Sequence, residues 1–232
     1  MPRIYAISDL HLSFSAEKPM HIFGSRWDNY EARLKENWQA QIEQDDVILM
    51  PGDTSWATYV KDAAADFAYI NQLRGTKIIS KGNHDYWWET LSKLNGFLGE
   101  NQFSSIRFVH NTVEVFGNVA ICGTKGYPEI EGEPESEEER KLYRRELVRL
   151  ENAILAAKKT GAEKIIVMLH YPPGTSSAFA KCMREHQVDV CVFGHLHGGH
   201  YEKAAQGNVG GVEYRLVSCD YLKFSPLYIC DF

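Results

Sequence analysis

A chain of 232 residues with 44% hydrophobic and 24% charged side chains carries enough apolar material for a real core. Its formal charge of −6 weighs against a general nucleic-acid binder, and no apolar run approaches the roughly 18 residues of a membrane span. Five scattered cysteines without a close pair read as reduced, mostly buried thiols of a cytoplasmic protein. The passage from Met1-Pro2-Arg3 straight into a strand-like run leaves no room for a secretory signal.

In chain order, "IYAIS" (4–8) opens as a short buried strand. Residues 29–43 predict a helix, because Tyr30, Leu34, Trp38 and Ile42 recur four apart on one drifting face. "DVILM" (46–50) reads as a strand, 58–74 as a helix and "KIIS" (77–80) as a strand. A helix over 87–98 follows, with Trp87 and Trp88 as packing residues at its start. From 103 to 121 the pattern changes to short strands joined by Asn and Gly turns, merging with "VAICG" (119–123). Beyond it lie a helix over 136–160, "KIIVML" (164–169) as a strand and a helix over 175–187. "DVCVFG" (189–194) is the last strong strand before a strand-rich tail from 199 to 230. With no repeat and no composition break, the expectation is one α/β domain over residues 1–232, its mixed sheets packed face to face.

The acidity is local. "EIEGEPESEEE" (129–139) holds seven glutamates, without which the formal charge of −6 becomes about +1. It reads as a solvated loop entering a helix, with Ser136 and Glu139 placed as a capping box; a lid or partner surface is the alternative.

Polar residues collect where the apolar runs end. After "IYAIS" come Asp9 and His11, and after "DVILM" come Gly52 and Asp53. "KIIS" leads to Asn83, His84 and Asp85, "KIIVML" to His170, and "DVCVFG" to His195 and His197. In α/β sheets the C-terminal edge of the strands is where ligands bind. Residues two apart on an extended segment share a side, so Asp9 with His11, and His195 with His197, are each expected to face one cavity. Two Asp, one Asn and four His offer oxygen and nitrogen donors without thiolate, which suits Mn²⁺, Fe or Zn²⁺ better than Ca²⁺ or Mg²⁺. Seven donors exceed what one ion with an open position needs and suit two ions sharing a carboxylate.

The blocks "SDLHL", "PGDTSW", "KGNHD", "LHYPP" and "FGHLH", in this order between residues 8 and 197, resemble the five signatures of the calcineurin-like metallophosphoesterase superfamily. The resemblance implies a four-layer α/β/β/α sandwich with two mixed β-sheets. It implies that Asp9, His11 and His197 hold a first metal, that Asn83, His170 and His195 hold a second, and that Asp53 bridges them. His84 would be a catalytic acid facing the scissile phosphate, with Asp85 as its supporting carboxylate. His21, His110, His186 and His200 fall outside the blocks and receive no role.

Two ions about 3.5–4 Å apart can hold a water and lower its pKa toward neutrality. The implied reaction is in-line attack by that hydroxide on a phosphomonoester or phosphodiester of a small or nucleotide-like substrate. Four positive charges on two ions would outweigh Asp9 and Asp53, making an anion-attracting pocket in an acidic protein. Mn²⁺ is the first choice of metal, with Zn²⁺ or Fe as alternatives. Gly52-Asp53-Thr54-Ser55-Trp56 and Asp85 depart from the Gly-Asp-x-Val-Asp-Arg-Gly and Gly-Asn-His-Glu blocks of the superfamily's protein phosphatases, pointing to a bacterial-type phosphohydrolase branch. The "SDLHL" block also resembles bacterial UDP-diacylglucosamine pyrophosphohydrolases, which carry arginine where this chain has His84. Expected pocket walls are 21–30, 123–128 and Tyr171, with Arg26 and Lys125 as candidate anion contacts. A nuclease of the same superfamily and a non-catalytic scaffold are the competing readings. Neither a membrane nor a nucleic-acid partner is expected.

Overall fold

The structure, a computed structural model of the chain, describes residues 1–129 and 134–232. Part of the acidic 129–139 segment, and with it the lid reading, lies outside the described residues. The strands are β1 (Arg3–Ala6), β2 (Val47–Pro51), β3 (Thr76–Ser80), β4 (Ile106–Phe108), β5 (Val113–Phe116), β6 (Val119–Thr124), β7 (Lys164–Leu169), β8 (Val190–Phe193), β9 (Gly207–Val209), β10 (Val212–Leu216) and β11 (Leu227–Asp231). The α-helices are α1 (Tyr30–Gln41), α2 (Ala64–Gln72), α3 (Leu91–Glu100), α4 (Glu137–Lys159) and α5 (Ala178–Glu185).

Two mixed sheets form, in the orders β11-β1-β2-β3-β4 and β5-β6-β7-β8-β10-β9. In each, the central strands run parallel and an antiparallel strand closes an edge: β11 on β1 in the first, β5 on β6 and β9 on β10 in the second. Alternation along the strands sets the layers. Ile4, Ala6, Val47, Leu49 and Ile78 pack between the sheets against Val119, Ile121, Ile166, Met168 and Val192. Their neighbours Tyr5, Ile48, Met50 and Ile79 turn outward to a core shared with Leu34, Trp38, Phe67 and Leu94 of α1, α2 and α3. Ala120, Cys122, Val167 and Cys191 face Leu150 and Ile154 of α4 and Phe179 and Met183 of α5. The result is the expected α/β/β/α sandwich.

The helix ends refine the sequence reading. Ser136 and Glu139 form the anticipated capping box at α4. The 58–74 helix starts as a 3-10 turn over Val60–Ala63 and becomes α-helical only at Ala64. The 87–98 helix starts at Leu91, capped by Thr90, so Trp87 and Trp88 lie in the turn before it. Trp87 is buried there, edge-on to Phe67 with ring centroids 5.0 Å apart. Among the described residues no helix is long and apolar enough to cross a membrane.

Candidate metal centre

The C-terminal edges of the two sheets meet. Ser8, just past β1, bridges to Ser218 past β10, and the His195 N–H donates to both Asp9 oxygens at 3.0 and 3.1 Å. Asp9, His11, Asp53 and His195 all have positive φ, between 47° and 74°. The pairs Asp9/His11 and His195/His197 are therefore presented by left-handed turns and not by extended backbone, as the two-residue spacing suggested. Non-glycine residues held in this region are uncommon and concentrate at ligand-binding turns. Glycines make the tight approach feasible: a Cβ on Gly82 would overlap the Asp53 carboxylate, and one on Gly194 would overlap Asp9.

One donor atom each from Asp9, His11 and His197 lies within 4.8 Å of the others, and the same holds for Asp9, Asp53 and His170. Asp9 belongs to both sets, and Asp53 Oδ2, a member of the second, also lies 3.8 Å from His11 Nε2 of the first and 3.5 Å from His170 Nε2. Asn83 Oδ1 lies 2.6 Å from His170 Nε2 and 3.1 Å from His195 Nδ1. The two histidines of the last block thus serve different sides, His195 with Asn83 and His170, His197 with Asp9 and His11.

The donors fit divalent cations. His170 is fully buried and donates from Nδ1 to the Pro51 carbonyl at 3.0 Å, which leaves Nε2 as an acceptor aimed at acceptor oxygens. A cation among them would remove that repulsion. Burial pushes the His170 pKa down to about 3, so the ring is neutral and ready to ligate. His197 places Nδ1 2.8 Å from Asp220 Oδ1, while its Nε2 and the Nδ1 of His11 are buried without hydrogen-bond partners. Burial opposes a charge on His197, but the hydrogen bond to Asp220 and the Asp9 carboxylate 3.5 Å from Nε2 push its pKa up to about 10. Burial, then the charges of Asp85 and Asp9, raise the Asp53 carboxyl well above the usual range. A buried carboxylate cluster of this kind is costly until positive charge enters it.

Asp85 does not support the His84 ring. Its Oδ2 accepts from the Asp53 and Gly82 N–H groups at 2.9 and 2.7 Å. Its Oδ1 accepts from Thr54 N, Ser55 N and Trp87 Nε1 at 2.9, 3.4 and 3.1 Å. Consecutive side chains diverge, so Asp85 points inward to tie two ligand turns together while His84 points toward the cavity. The expected acid–carboxylate pair is replaced by a structural anchor. His84 donates its own N–H to Asp53 Oδ1 at 2.8 Å, and its ring lies 4.6 Å from Trp56 and 5.7 Å from His11. Burial, then the charges of His195 and Lys18, lower the pKa of His84.

A cavity of about 350 Å³ opens beside His11, His84 and His197. The 21–30 segment lines it through Phe23, Arg26 and Trp27, as anticipated. Residues 123–128 and Tyr171 do not; Tyr171 packs on the His195 ring at 4.6 Å, and Lys125 Nζ lies 5.5 Å over Tyr171. Arg26 pairs with Asp220 at 3.5 Å and donates to Tyr201 Oη at 3.1 Å. His200, set aside by the sequence reading, lines the rim. Asp220 was missed, although "RLVSC" before it is another apolar run ending in a carboxylate.

A family model described as calcineurin-like phosphoesterase matches residues 2–199. The chain belongs to that family. As a calcineurin-like phosphoesterase with clustered ligand residues, it is a metal-dependent phosphoester hydrolase. Solved structures share the fold at low identity. A Thermus thermophilus protein gives a TM-score of 0.60 at 16% identity over 99% of both chains. The phosphopantetheinyl hydrolase of Mycobacterium tuberculosis gives 0.55 at 13% identity, over 98% of this chain and 95% of its own. An Aquifex aeolicus protein of unknown function gives 0.52 at 16% identity, over 98% and 96%. No curated protein matches the sequence.

Proposed function

We propose that this calcineurin-like phosphoesterase is a dinuclear enzyme hydrolysing monoesters or diesters of small phosphorylated, including nucleotide-like, substrates. The observation that carries the reading is the position of Asp53 Oδ2 between His11 and His170, with Asp9, Asn83, His195 and His197 around it. Asp9, His11 and His197 would hold one ion and Asn83, His170 and His195 the other, Asp53 serving both. The ions, Mn²⁺ by first choice, would supply Lewis-acid charge for the phosphoryl oxygens and a water of lowered pKa. The chain's own residues do the rest. Asp220 holds the His197 ring in one tautomer, and Pro51 does the same for His170. His84, facing the cavity and bound to no ligand role, passes a proton to the departing oxygen. Trp56, stacked on His11 at 4.8 Å, keeps water from that side of the ring. Five free, buried cysteines suit a reducing cytoplasm.

The test is turnover of bis-nitrophenyl phosphate and nitrophenyl phosphate by Mn²⁺-loaded protein against a chelated control, with single-stranded DNA as a further arm. Metal-dependent hydrolysis of either ester is expected. No turnover of any phosphoester by metal-loaded protein would favour the scaffold reading, and DNA cleavage alone the nuclease.

A further inference from the structure

The cavity beside the candidate metal centre is polar on its floor and apolar on its walls. His11, His84 and His197 form the floor, and Met20, Phe23, Trp27 and Trp56 rise around them. Among the described residues Arg26 is the one Lys or Arg that lines it, and that guanidinium is already neutralised by Asp220 and tied to Tyr201. Trp56 is fixed in place: its Nε1 donates to Met20 Sδ at 3.2 Å, and Lys18 Nζ lies 4.6 Å over its ring. Phe23 at the mouth is 60% exposed and its neighbour Ile22 67% exposed, large apolar surfaces that folding leaves in water. Tyr86, 61% exposed, adds a third beside His84, with ring centroids 6.1 Å apart.

In the hydrolysis, water oxygen bonds to phosphorus and its proton passes to solvent, the bond from phosphorus to the leaving oxygen breaks, that oxygen takes the His84 proton, and solvent reprotonates His84. The body attached to an oxygen beside His84 has this cavity to enter. We infer that the cavity receives the leaving group, and that this group is an uncharged, apolar body instead of a second phosphate or a sugar. The inference rests on the phosphoesterase reading and names its substrate class. A second phosphate would meet a paired arginine and the Asp220 carboxylate, whereas a ring or branched chain would cover Phe23 and the indole edges. Pockets of a few hundred Å³ with apolar walls and a few convergent polar groups are the usual form of small-ligand sites.

The experiment compares phenyl, 2-naphthyl and 4-carboxyphenyl phosphate, whose phenol oxygens leave comparably well, on Mn²⁺-loaded full chain. The naphthyl ester should show roughly tenfold higher kcat/KM than phenyl, a difference of about 1.4 kcal/mol carried mainly by KM. The carboxyphenyl ester should show no gain. Phe23→Ala, at an exposed position where folding is not at risk, should reduce the naphthyl preference to about twofold or less. Calorimetry with the non-hydrolysable benzylphosphonate and naphthylmethylphosphonate should show the same order of preference in Kd. Equal kcat/KM for phenyl and naphthyl esters, preference for the carboxyphenyl ester, or an intact preference in Phe23→Ala would overturn the inference while leaving the hydrolase standing. Absence of turnover on these three monoesters and on bis-nitrophenyl phosphate, with the phosphonates still bound, would overturn the hydrolase reading and the leaving-group role together; with the diester alone hydrolysed, equal Kd for the two phosphonates would overturn the inference.

Discussion

Asp85 accepts five N–H groups, and this determines what its replacement should do. In Asp85→Asn the carboxamide NH₂ is turned against donors, leaving buried N–H groups unpaired in the turns that carry Asp53 and Asn83. Unfolding free energy should fall by about 2–4 kcal/mol, with weaker metal retention and a rate loss independent of the leaving group. Denaturant melts, metal analysis and rates on two esters check this; a loss confined to alkyl esters would restore Asp85 to the proton-donating unit. His84→Ala should behave oppositely. It should keep its metal, lose little on nitrophenyl esters, and lose more, toward the upper end of ~10²–10⁴-fold, on alkyl phosphoesters whose oxygen needs a proton to leave. An equal loss on both would count against the acid role, and loss of metal would make His84 a ligand. The strand-end residues were legible because polar groups that follow buried runs have few structural reasons to be there. The Asp85 role was not, because adjacency in sequence suggests a pair where the turn sends neighbouring side chains apart. Asp220 escaped notice because the matching blocks stop at His197.

Strands and helices follow their apolar periods closely, and the misplaced helix starts share one cause. Tyr59, Trp87 and Trp88 extend the apolar pattern upstream, but they pack as irregular or 3-10 backbone before the helices begin at Ala64 and Leu91. The left-handed turns at Asp9, His11, Asp53 and His195 were not read from the sequence: Asp and His are among the non-glycine residues enriched at positive φ, but that enrichment is too weak to place a turn. Strand β3 hides another feature. Lys77 is fully buried, its Nζ donating to the Leu73 and Gly75 carbonyls at 2.6 and 2.8 Å, and burial pushes its pKa from 10.5 down to about 7. Above pH 7 the unfolded chain holds this proton more tightly than the folded one, so the Lys77 contribution to stability rises with pH up to about 10.5. The unfolding free energy of the wild type relative to Lys77→Met should therefore climb between pH 7 and 10, by at most ~1.4 kcal/mol per pH unit. Paired denaturant titrations read this directly. A flat difference would mean that Lys77 keeps its ordinary pKa.

At the scale of the molecule, the first sheet supplies Asp9, His11, Asp53 and Asn83, and the second supplies His170, His195 and His197. Divalent ions would join the two halves at an edge where buried carboxylates otherwise repel. Metal that binds the folded chain alone should raise its thermal midpoint, by the equivalent of ~2.7 kcal/mol at a hundredfold excess over Kd. Chelation should reverse the gain; an unchanged midpoint would mean that the donors take no metal in the folded state. The overall architecture was readable because the five blocks fall at strand ends of both sheets in order. The 21–30 wall of the cavity was readable too, but its closure by Trp56 was not, because Trp56 comes from a second loop that only the fold brings to Met20, Phe23 and Trp27. The most direct test of the central claim, that Asp53 serves two ions, is metal content measured together with turnover of bis-nitrophenyl phosphate in wild type and Asp53→Asn. The account predicts about two ions per wild-type chain, most of that metal lost from Asp53→Asn, and nearly all turnover lost with it. An Asp53→Asn protein that holds two ions and remains active would contradict it.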